Sequence, residues 1–222
     1  MCNRTGGCRP RKKARTDSPR PPKDFICIAT GPSLTKEDCA KAKGSSSEII
    51  VINDNYRIVE DADYLYACDL HWWKMHIDAV KSTFKGKLYC QWHRDDEKAF
   101  AQEQGITAIP GVHARGLGRE KLHFNNNSGA QAINLAYLLG ATRIILLGYD
   151  MGATGNSHWF GSHPKGLNNG NYSNYVVAFD RLAEDLKYEG VEVINCTRKT
   201  ALTQFKRGVI DDYTDQIGGC DL

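Results

Sequence analysis

Beyond residue 24, short apolar runs alternate with longer amphipathic stretches along the chain. Seven of the runs have strand length: 25–29, 48–53, 64–68, 87–91, 107–109, 143–148 and 191–195. Several are apolar without a break, the pattern of strands covered on both faces. Between and after them, 36–43, 71–82, 95–104, 128–139 and 172–189 read as helices. Strands and helices in alternation predict an α/β fold, a Rossmann-like and mostly parallel sheet with helices on both faces, in a single domain. No internal repeat is evident.

Ligands of such sheets bind outside the carboxyl ends of the strands, so polar residues there carry the candidate chemistry. The first strand runs into Thr30, Gly31, Pro32 and Ser33 just before a helix. Glycine lets a phosphate come close to the backbone, and the N–H groups of the first helical turn point at the anion. The same residues also suit an ordinary βα turn. Asn53 and Asn55 end the second strand. Their amides can donate to and accept from a base or ribose, and asparagine equally favours turns for its own backbone. Asp69 follows the third strand, and Asn127-Ser128-Gly129 opens a later helix as an N-cap whose N–H groups can also serve a phosphate. Asp150 closes the strand at 143–148 and suits a ribose hydroxyl, a metal, a catalytic base or a helix N-cap. Asp61-Ala62-Asp63 has the spacing of a glycosyltransferase metal clamp, but it precedes its strand and belongs to the wrong edge.

The segment 151–174 has no clear secondary structure and is rich in Gly, Asn, His and aromatics. A loop of ~20 residues inside a compact domain is usually a lid or a binding loop. Its His158, His163 and Lys165 supply a general base and positive charge for a phosphate leaving group. The two histidines have no carboxylate partner nearby in sequence, which ranks base above metal ligand. Trp72, Trp73, Trp92 and Trp159 divide between core packing and stacking on a ring, with packing expected for three of them.

Composition changes this picture at one end only. With 222 residues and 41% hydrophobic content the chain can bury a sizeable core. No apolar run nears the ~20 residues that span a bilayer, and the N-terminus lacks the apolar stretch of a secretory signal, so no membrane partner and a cytoplasmic location are expected. The net charge of +3 is uneven: residues 1–24 carry eight Lys/Arg against Asp17 and Asp24, a net of +6, and the rest sums to −3. Residues 1–24 thus form a basic arm, either a disordered tail or a non-specific contact for nucleic acid, ahead of a domain at 25–222. Eight cysteines suggest disulfides at first sight. Cys27, Cys68, Cys90 and Cys196 lie in apolar runs, however, and read as buried free thiols of a reducing compartment.

The series Gly31-Pro32-Ser33-Leu34, the strand ending at Asn53, and Asn127-Ser128-Gly129 leading to Leu147-Gly148-Tyr149-Asp150 resembles the sialyltransferase-like fold. That group includes bacterial CMP-sialic-acid transferases and archaeal 6-hydroxymethylpterin diphosphokinase-like proteins, with short phage-encoded forms placed in a host cytoplasm. The resemblance spans roughly residues 25–200. It implies that the Gly31-Pro32-Ser33 turn, Asn53, Ser128 and Gly129 bind a nucleotide and that His163 is the general base. The chain departs from the pattern at Thr30, where those enzymes have Asn, and after Asp150, where Gly152 and the region 156–158 replace phosphate-gripping tyrosines. The expected activity is transfer from a nucleotide-activated donor, CMP- or nucleoside-diphosphate-linked, to a hydroxyl acceptor such as a glycan, a modified DNA base or a small metabolite, without a metal. One alternative is a diphosphokinase of a pterin-like alcohol, using ATP and Mg²⁺ held by Asp69 and Asp150. Another is a non-catalytic protein binding nucleotide or nucleic acid through the basic arm.

Overall fold

The most apolar runs lie at the centre of the sheet. In a computed structural model describing residues 21–154, 158–161 and 172–214, nine parallel strands form one sheet among the described residues. They are β1 (Asp24–Ile28), β2 (Glu48–Ile52), β3 (Tyr64–Tyr66), β4 (Lys87–Trp92), β5 (Thr107–Val112), β6 (Leu122–His123), β7 (Arg143–Leu147), β8 (Glu192–Asn195) and β9 (Lys206–Arg207). Their order is β6-β5-β4-β3-β2-β1-β7-β8-β9. Ile26 of β1 stands opposite Ile49 on one side and Ile145 on the other.

Among the described residues five helices cover the sheet: α1 (Lys36–Lys43), α2 (Leu70–Thr83), α3 (Asp95–Gln104), α4 (Ser128–Leu138) and α5 (Tyr172–Tyr188). The period-two alternation of β1 sends its side chains to two separate cores. Phe25 and Cys27 pack with Ala132, Ile133 and Ala136 of α4 and with Phe179 and Leu182 of α5. Ile26 and Ile28 join Cys39 and Ala42 of α1, Trp72, Trp73 and Val80 of α2, and Ala101 of α3. Burial pushes the thiols of Cys27, Cys90 and Cys196 up to about 12, so they behave as small apolar side chains. Among the described residues no helix is long and apolar enough to cross a membrane.

Several boundaries differ from the sequence expectation for identifiable reasons. The second strand stops at Ile52, because Asn53 takes φ 50° and opens a 3₁₀ turn (Asn53–Arg57). β5 runs through Pro110 to Val112, three residues beyond the expected end. Its partner β6 pairs only with Gly111 and Val112, past the residue that cannot donate. The chain leaves β1 outward as far as β6 and then returns to β7 on β1's other flank. Strand order therefore reverses between β1 and β7, and in sheets of this kind ligands bind beyond the carboxyl ends at such a point.

Candidate functional site

The exit of β1 packs backbone to backbone against the exit of β7. The Gly31 N–H donates to the Gly148 carbonyl at 2.8 Å, and Ala29 N–H to Leu147 at the same distance. A Cβ on Gly31 would lie 2.0 Å from Asp150 Oδ1 and 2.3 Å from the Gly148 carbonyl, so only glycine fits. Asp150 holds the turn that follows: its carboxylate accepts from Ser33 N–H and from Ser33 Oγ, each at 2.9 Å. Burial raises the Asp150 carboxyl above its ordinary value, against the two bonds from Ser33. Asp150 thus braces the Gly31-Pro32-Ser33 turn, a task that the sequence reading did not name.

Thr30 and Asn55 meet the loop. Thr30 Oγ1 hydrogen-bonds His158 Nδ1 at 2.7 Å, and its carbonyl accepts from Trp159 N–H at 3.0 Å. Asn55 is fully buried; its amide donates to the Ile28 carbonyl at 2.8 Å and accepts from Trp159 Nε1 at 2.7 Å. Both functions of that amide serve the protein, joining the β1 and β2 exits to residues 158–161. Trp159 is thus a docking residue, while Trp72 and Trp73 are core and Trp92 lies under Lys98 Nζ at 4.8 Å. His163 and Lys165 lie outside the described residues.

The start of α4 faces the same edge. Asn127 Oδ1 accepts from Ala130 N–H at 3.0 Å, and Gln131 N–H bonds the Asn127 carbonyl. The first two helical N–H groups, those of Ser128 and Gly129, have no protein acceptor among the described residues. Ser128 Oγ lies 3.0 Å from Cys68 Sγ, and a Cβ on Gly129 would approach Tyr149 Cε1 to 2.8 Å. Among the described residues Asn53, Asn125, Asn126 and Met151 are the non-glycine residues with positive φ, and all follow strands at this one edge.

Two carboxylate expectations resolve on geometry. Asp69 caps α2 through His71 N–H at 2.7 Å. Its strand lies three positions from β7 in the sheet, about 14 Å at the usual inter-strand spacing. Asp69 and Asp150 thus end strands that are not neighbours, which lends no support to the Mg²⁺ pairing of the diphosphokinase alternative. Asp61 and Asp63 sit at the opposite edge, where Asp61 pairs with Lys43 at 2.8 Å and Asp63 accepts from Ile49 N–H at 2.7 Å. Among the described residues no three His, Cys, Asp or Glu gather to hold a metal.

One segment at this edge, 197–200, was missed in the sequence, although the strand-end logic applies to it. After β8, Thr197 Oγ1 accepts from Tyr149 N–H at 2.9 Å, Thr200 Oγ1 donates to the Tyr149 carbonyl at 2.6 Å, and Lys199 N–H donates to Ser33 Oγ at 3.3 Å. Arg198 makes two 2.9 Å bonds to Asp38, the acid of the Thr35/Asp38 capping box of α1. Burial alone would raise the Asp38 carboxyl, but Arg198 and Thr35 outweigh it and hold the carboxyl below its ordinary value. A depressed carboxyl stabilises the fold above its unfolded pKa, and that contribution fades as pH falls. Asp38→Asn should therefore cost stability at pH ~7 and much less at pH ~3. Urea melts at both pH values check this, and an equal cost at each would show that the charge is not what matters.

No family model matches the chain, and no curated protein matches it in sequence. In structure it is similar to the sialyltransferase CstII from Campylobacter jejuni, solved in complex with a substrate analogue, cytidine-5'-monophosphate. The two share 16% identity and a TM-score of 0.58, with 88% of each chain covered. The likeness is one of fold: the chain has a sialyltransferase-like α/β architecture.

Proposed function

We propose that this chain is a transferase that binds a nucleotide-activated sugar in the crevice between the β1 and β7 exits and passes the sugar to a hydroxyl acceptor. The observation that carries this reading is the Gly31-Pro32-Ser33 turn, clamped by Asp150 at the point where strand order reverses. The turn, Asn53 and the N–H groups of Ser128 and Gly129 hold the donor. His163 takes the acceptor's hydroxyl proton as the acceptor oxygen bonds to the anomeric carbon. The bond from that carbon to the phosphate oxygen breaks, and the nucleotide leaves with the electron pair. His158 and Lys165 offset the charge gathering on it. The hydrogen bond between His158 and Thr30 at 2.7 Å supports a role for His158 beside the turn.

Thermal-shift measurements against CMP, CDP, UDP, GDP, ADP and ATP, each with and without Mg²⁺, test the reading. A nucleotide at a hundred times its Kd adds about 2.7 kcal/mol of stability. A metal-independent response to CMP or a nucleoside diphosphate is expected and names the donor class. A response confined to ATP with Mg²⁺ would transfer the chain to the diphosphokinases, and silence to all six would leave a non-catalytic protein. His163→Ala should then lower turnover by about 10²-fold or more while nucleotide affinity stays within a few fold; unchanged turnover removes His163 from the chemistry.

A further inference from the structure

A phosphate in the proposed crevice meets an adverse charge. Asp150 places a buried carboxylate directly behind the Gly31-Pro32-Ser33 turn, with both oxygens 2.9 Å from Ser33 atoms. Charges so close in a partly buried setting are weakly screened. Glu37 and Asp38 in the first turn of α1 add to the problem rather than relieve it. Arg198, the adjacent guanidinium, is spent: it pairs with Asp38 at 2.9 Å and reaches Glu37 at 3.6 Å.

Lys199 is the next residue. Its own N–H is anchored on Ser33 Oγ at 3.3 Å, which fixes the root of its side chain beside the turn. Flanking bonds from Thr197 and Thr200 to Tyr149, and from Ala201 N–H to the Asp150 carbonyl at 2.9 Å, hold this stretch of backbone in place. Lys199 is exposed and has no carboxylate partner among the described residues. We infer that Lys199 is the cation that receives the donor's phosphate, and that residues 197–200 form the second wall of the nucleotide site. The inference rests on the proposed donor site and adds the group that makes that site select a nucleotide over a nucleoside. A lysine ammonium suits this role as a mobile point charge at the end of a flexible stem.

Calorimetric titration of the full chain with CMP against cytidine, and UDP against uridine, tests it. Lys199→Met is expected to weaken the preferred nucleotide by about tenfold or more and to leave its nucleoside unchanged, while Lys199→Arg stays within about threefold of wild type. Unchanged nucleotide affinity in Lys199→Met overturns the inference, as does an equal loss for nucleotide and nucleoside, which would mark a structural role. A nucleotide-selective loss in Lys36→Met alone would give the role to the exposed lysine that opens α1. A wild-type chain that binds none of the four ligands removes the donor site itself, and that result is distinct from a wild type that binds normally beside an unaffected variant.

Discussion

Gly31→Ala is expected to lose about 3–5 kcal/mol of stability together with the response to nucleotide. The added methyl would sit 2.0 Å from Asp150 Oδ1, 2.3 Å from the Gly148 carbonyl and 2.7 Å from Asp150 Cγ. The Gly148 side cannot yield, because Gly148 is itself at φ 70° with room for no Cβ beside the Ala29 carbonyl. Asp150 must swing away instead, and it then releases both bonds to Ser33. Overpacking costs about 1–3 kcal/mol and a hydrogen bond to a charged group about 1.5–3. A chain of this size has roughly 5–15 kcal/mol in all, so the variant remains foldable but visibly weakened. Urea denaturation with and without nucleotide reads both effects. An unshifted midpoint would mean that the two strand exits are not locked together.

Trp72→Ala should cost a similar ~3–5 kcal/mol from a quite different place. Trp72 is 2% exposed, lies flat on His76 at 4.5 Å between ring centroids, and meets Trp73 edge-on at 5.1 Å. Its indole N–H donates to Asp54 Oδ2 at 3.1 Å, and the other Asp54 oxygen pairs with Arg57 at 3.2 Å. Truncation leaves a large void and an under-bonded buried carboxylate. Trp72→Phe keeps most of the packing and isolates the hydrogen bond, so it should lose less. A cost below about 1 kcal/mol for Trp72→Ala would show that α2 does not support the turn after β2.

The two substitutions also mark where the sequence was readable. Central strands were plain because β1 and β7 are apolar after their first residues, Asp24 and Arg143, and buried on both faces, which no amphipathic helix would be. The Gly31-Pro32-Ser33 turn and Asp150 were visible for the complementary reason, as polar residues ending such runs. β9 could not be seen, since Lys206 and Arg207 are both exposed and offer no apolar signal. β6 is equally silent at two residues. The tasks of Asn55 and Asp150 were ambiguous because a side chain's chemistry states what it can bond, while its partners, Trp159 and Ser33, are supplied only by the fold. The same holds for 197–200, whose four polar residues acquire meaning from Tyr149, about fifty positions earlier in the chain.

Topology also sets when the crevice can exist during synthesis. β1 emerges early, yet its β7 neighbour arrives 119 residues later, as the Asp24–Arg143 pair shows. Until then one flank of a largely apolar strand stays uncovered on the ribosome-bound chain, while the β2 side can already pair. Contacts of such sequence separation form slowly. The junction of the β1 and β7 exits is therefore among the last features to mature, and under the proposed function nucleotide binding would report that both halves of the sheet have joined. Chaperone demand, by the same token, should fall most steeply at the moment residues 143–147 leave the exit tunnel.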